Sequence, residues 1–97
     1  MPTKRENKYP LEVGSGNKYR TSDIDIASTL ICKGYQLSDL SLIHGNKAIF
    51  LFENNPNIEV IVRDFWNDQI EVFPLKFSNI RKNLKSQVYT LLRSLQQ

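Results

Sequence analysis

The chain has almost none of the residues that usually carry catalysis or cross-linking: its 97 residues include one cysteine, Cys32, and one histidine, His44. A lone cysteine excludes a disulfide within the chain and cannot assemble a thiolate zinc site by itself. Nucleophilic catalysis needs a base beside a serine, threonine or cysteine. The only imidazole falls in the turn-like stretch His44-Gly45-Asn46 and Cys32 at the end of a helical pattern, so the two are not expected to meet. Cys32 reads as a small core hydrophobe. Long apolar runs are missing too: the longest, Ala48 to Phe52, is far shorter than the roughly 20 residues of a membrane-crossing helix. The opening Met1-Pro2-Thr3-Lys4-Arg5-Glu6-Asn7-Lys8 has no apolar stretch behind its charges, which argues against a secretory signal and for a cytoplasmic setting.

Glycines are few, and Gly14-x-Gly16 lacks the third glycine and the preceding strand of a phosphate-cradling fingerprint. A nuclease-like Mg²⁺ site needs two or three converging carboxylates. Asp64 and Asp68 are spaced four apart and Glu53 ends a strand-like run. Glu71, however, is followed by Val72 and Phe73, without the lysine two places on that a restriction-type nuclease motif carries. These carboxylates read as solvated helix ends and caps. No catalytic residue, metal site or cofactor is expected, and hence no enzyme.

What is present suffices for one core and no more, because a second domain within 97 residues would bury too little surface. Apolar residues at 40% and charged residues at 24% are ordinary for a globular chain. The net charge of +3 conceals a division. Residues 1–20 hold Lys4, Arg5, Lys8, Lys18 and Arg20 against Glu6 and Glu12. Residues 21–73 hold eight carboxylates against Lys33, Lys47 and Arg63. From Pro74 onward Lys76, Arg81, Lys82, Lys85 and Arg93 face no Asp or Glu at all. An anionic partner is expected to meet the ends first.

Residues 1–18, with Pro2, Pro10, Gly14 and Gly16 and few apolar side chains, read as a flexible basic tail, and 19–97 as a single α+β domain. Thr21-Ser22-Asp23-Ile24-Asp25 reads as a hydroxyl-capped helix start with Asp25 as capping-box partner of Ser22. Ile24, Ala27, Leu30 and Ile31 then predict a helix over 22–33, ended by Gly34. Tyr35 to Ile43 alternates imperfectly and, with the His44-Gly45-Asn46 turn and Ala48 to Phe52, predicts a β-hairpin. Asn54-Asn55-Pro56 opens a second helix, with Ile58, Ile61, Val62, Phe65 and Trp66 as its buried face and Asn67-Asp68 as its end. Ile70 to Phe73 is expected to add a short edge strand before Pro74. The order expected is helix, β-hairpin, helix, short strand and long C-terminal helix, with an antiparallel sheet packed by the helices.

The last segment carries the clearest periodicity: Phe77, Ile80, Leu84, Val88, Leu91 and Leu95 form one apolar stripe of a long amphipathic helix. Beside it, Arg81, Lys85, Tyr89, Lys82 and Arg93 gather in an arc of roughly 120°. Surface helices often carry Lys and Arg for solubility alone, but a merely solvated helix mixes signs. This one has only positive charge, so Arg81, Lys82, Lys85, Tyr89 and Arg93 are the expected contacts to nucleic acid or a nucleoprotein complex. The competing expectation is a protein-interaction module, docking on a larger partner or on a second copy of itself.

Five short matches, in order, resemble the DUF5659 family of small bacterial and phage domains of unknown function. They are Tyr19-Arg20-Thr21-Ser22-Asp23, Lys33-Gly34, Phe50-Leu51-Phe52-Glu53, Phe65-Trp66-Asn67 and Lys85-Ser86-Gln87-Val88-Tyr89. The resemblance, over about residues 19–90, implies a shared fold and carries no activity or site with it.

Overall fold

A nine-residue helix, α1 (Ile24–Cys32), lies in the middle of the fold, and the other elements close around it. The structure is a computed structural model that describes residues 18–95. The tail predicted over 1–18 lies outside the described residues apart from Lys18, which opens a strand. Three strands, β1 (Lys18–Thr21), β2 (Leu37–Ile43) and β3 (Lys47–Glu53), form an antiparallel sheet in the order β1-β3-β2. Two further helices, α2 (Pro56–Trp66) and α3 (Pro74–Leu95), complete an α+β domain whose longest element is the C-terminal helix.

The N-terminus of α1 is set by Asp23 rather than by the hydroxyl cap and capping box expected from Ser22 and Asp25. The Asp23 carboxylate accepts from the Asp25 and Ile26 amides at 2.8 and 3.2 Å, satisfying two of the donors every helix start leaves unpaired. Thr21 is committed elsewhere: it pairs with Phe50 in the sheet, and its Oγ1 accepts from the Asp23 amide. The helix therefore starts at Ile24, two residues later than its sequence suggests. At the other end the Tyr35 amide donates to Leu30 O and the Gly34 amide to Ile31 O, both at 3.0 Å. This closure needs a left-handed residue, and Gly34 supplies it at φ +100°. Asp68 plays the same part after α2. At φ +59° it lets the Gln69 amide reach Asp64 O at 2.8 Å, so it closes the helix as the sequence indicated.

The sheet explains the imperfect alternation of the hairpin. A bulge between Leu37 and Asp39 sets Leu37 opposite Phe52, Leu40 opposite Phe50 and Leu42 opposite Ala48. Three leucines spaced by three and then two residues thus share the core side of a pleat that otherwise repeats every two. Gly45 and Asn46, at φ +82° and +57°, make the turn. Phe50 and Phe52 then sink against α1 with Leu30, Ile58, Val62 and Leu84. Each such side chain contributes about 1.5–3 kcal/mol by leaving water.

Two expectations are corrected. Ile70 to Phe73 forms no strand: the sheet is β1-β3-β2, and the Glu71 carbonyl accepts from Lys33 Nζ at 2.7 Å instead of from a sheet. The third strand is β1, whose Tyr19 and Thr21 are buried opposite Phe52 and Phe50. Trp66 is not part of the buried face of α2. Two turns beyond Ile58 the stripe has rotated by about 80°, and the indole is 66% exposed, held edge-on to Phe65 with ring centroids 5.1 Å apart.

On α3 only Leu84 is fully buried, while Leu95 lies 63% exposed beyond the core. Leu84→Ala is expected to cost about 2–5 kcal/mol in urea unfolding through lost burial and the cavity left behind. Leu95→Ala is expected to stay within about 0.5 kcal/mol. Equal effects would contradict this seating of the helix.

Candidate nucleic-acid interface

The cations of α3 divide according to what α1 does with them. The apolar stripe around Leu84 faces α1, and a positive side chain flanks it on either side. Arg81 Nε donates to Asp25 Oδ1 at 2.6 Å near the start of α1, and Lys76 Nζ reaches Cys32 O at 3.5 Å near its end. Residues 25 and 32 of one helix thus meet 81 and 76 of the other, so the two run antiparallel. Of the five residues expected in one basic arc, Arg81 is drawn to the edge of this helix–helix contact and is half-buried.

The other four remain together and exposed. At about 100° per residue, and taking Arg81 as zero, Lys85 projects at about 40°, Tyr89 at 80°, Lys82 at 100° and Arg93 at 120°. A rise of 1.5 Å per residue spreads them over about 16 Å of helix. Lys82, Lys85 and Arg93 form no ion pair among the described residues, where the salt bridges are Lys18 with Glu53 and Arg81 with Asp25. Tyr89 is 53% exposed. A row of unneutralised cations with an accessible ring between two of them can bind phosphates electrostatically and offer a stacking surface.

Two features beside this face were not legible as surface. Phe73 and Leu75 are 75% and 73% exposed at the start of α3, and Leu75 projects on the same side as Arg93. Their sequence signal, apolar residues flanking Pro74, reads equally well as the end of a strand. Cys32, Lys33, Val72, Phe73 and Lys76 line a cleft of about 320 Å³ between the end of α1 and the start of α3.

His44 is exposed in the hairpin turn and Cys32 is half-buried at the end of α1. Glu53 pairs with Lys18. No three His, Cys, Asp or Glu side chains converge on a common point among the described residues. No described helix is long and apolar enough to cross a membrane; α3 has the length but is interrupted by charge.

The Arg81–Asp25 side chains are 39% and 47% exposed, so solvent screens their attraction. A double-mutant cycle on Arg81→Ala and Asp25→Ala should give a coupling below about 1 kcal/mol that shrinks in salt. A coupling of several kcal/mol would show a desolvated pair that anchors α3.

A family model described as "Domain of unknown function (DUF5659)" matches residues 16–90. No curated protein and no solved structure matches the chain.

Proposed function

The chain belongs to the DUF5659 family, whose description assigns no activity, and we infer, from its own surface, a non-enzymatic accessory protein, acting in the cytoplasm, that binds nucleic acid or a nucleoprotein complex through α3. One observation carries the reading: Lys82, Lys85 and Arg93 share an exposed arc with Tyr89, and no carboxylate neutralises them among the described residues. A helix kept soluble by charge alone would be expected to place Glu or Asp one turn from its lysines. The chain has none after Glu71. Affinity on such a face is mostly electrostatic, because phosphate contacts position a protein without reading bases. No zinc-finger spacing or aromatic-rich RNA-binding strand signature is present to supply sequence specificity.

Fluorescence anisotropy of labelled DNA and RNA, at low and near-physiological salt, tests this. Binding is expected to weaken steeply with salt and to fall at least about tenfold in Lys82→Ala/Lys85→Ala/Arg93→Ala, since three phosphate contacts are removed. Absence of binding at low salt would refute the reading.

A second reading, a protein-interaction module or homo-oligomer, is favoured by the exposure of Trp66, Phe73 and Leu75 at 66%, 75% and 73%. Exposed large apolar side chains mark contact sites when they gather in a patch rimmed by polar residues. On this reading, light scattering finds a mass that rises with concentration, survives high salt and drops in Phe73→Ser/Leu75→Ser. A monomer at every concentration counts against self-association.

A further inference from the structure

We propose that α3 takes a single strand rather than a duplex, with Tyr89 as the stacking platform for one unpaired base; this rests on the nucleic-acid reading above and specifies its substrate class. A helix that enters the major groove lies between two phosphate walls about 12 Å apart, and cations on both flanks serve it best. On α3 the exposed cations occupy one flank only, from about 40° to 120°. The opposite exposed flank carries Ser86, Thr90, Asn83, Ser94 and Gln87, all uncharged. Lys76, the one cation on that side, sits at the first turn and reaches the Cys32 carbonyl. Arg81, on the boundary toward α1, is held by Asp25. The helix therefore offers a row of three cations to one phosphate backbone and a single lysine, at its first turn, toward a second.

Tyr89 points to the same ligand. Its ring lies between Lys85 and Arg93 along the row, about 6 Å of rise from each, and is more than half exposed at 53%. A base can lie on a ring so exposed only after leaving its own stack. Single strands supply such a base at little cost, whereas a duplex must first be unpaired. Cations on either side of the ring then hold the phosphates before and after the stacked nucleotide. The contact is tolerant of sequence, because every base has a π-face.

The experiment compares unlabelled single strands of DNA and RNA with a duplex of equal length, each competing against a labelled single strand for the full chain. Single strands should compete at least about fivefold better than duplex. Their log–log salt slope should be at least about −2 in magnitude, the value for three phosphates on a single strand. Tyr89→Ala should lower single-strand affinity about fivefold or more and leave duplex binding within twofold, while Tyr89→Phe keeps both. Circular dichroism and thermal melting verify that each variant is folded. Equal competition by duplex, or Tyr89→Ala without effect while Lys82→Ala/Lys85→Ala/Arg93→Ala still abolishes binding, overturns the single-strand assignment and leaves the nucleic-acid reading standing. If neither form binds at low salt, both fall together.

Discussion

In α1 the middle turn has no exposed side: Ile26, Ala27, Ser28, Thr29 and Leu30 are consecutive and all buried. An ordinary surface helix hides one stripe and wets the other; here the sheet, α2 and α3 must seal every direction at once. The two hydroxyls in that turn are tolerated because each has a partner within the helix. Ser28 donates to Ile24 O at 2.7 Å and Thr29 to Asp25 O at 2.8 Å, so neither is buried unpaired. Ala27 matters for its size, being wholly inaccessible where a larger side chain would force its neighbours apart.

The attachment of α3 follows from this. Among the helix pairs α1 and α3 have the most extensive contact, yet α1 is only nine residues long and α3 is 22. A long helix packed on a short one must overrun it; past α1 its apolar side continues over β2, with Val88 against the core and Leu91 beside Leu40, while Lys85, Tyr89 and Arg93 on the far face stay in water. Leu75 is exposed at the other end because it projects on that same far face, and Phe73 precedes the helix. The surface proposed to bind is thus the far face of an amphipathic helix, with its charge supplied by a segment that carries no carboxylate.

Local chemistry was legible wherever a few adjacent residues decide the outcome. Gly34 and Asn55-Pro56 end or start helices, and Gly45-Asn46 turns the hairpin, because each backbone conformation is one that those residues favour. Asp23 and Ser22 are both good caps, and the one whose side chain meets the first free amides, of Asp25 and Ile26, is Asp23. β1 was illegible. Four residues, Lys18 to Thr21, alternate correctly but are too few to stand out from the approach to a helix.

By itself the sequence determined the α+β class, the hairpin, three helices with most of their ends, and a C-terminal helix with an apolar stripe beside a positive arc. These depend on periodicity and capping within a few turns of chain. Tertiary structure alone decided that Ile70 to Phe73 would not pair and that Arg81 would leave the basic arc for Asp25, 56 residues away. Each of these turns on what another part of the chain occupies. Strand partners, core volume and opposing charges are long-range quantities, and no local pattern encodes them.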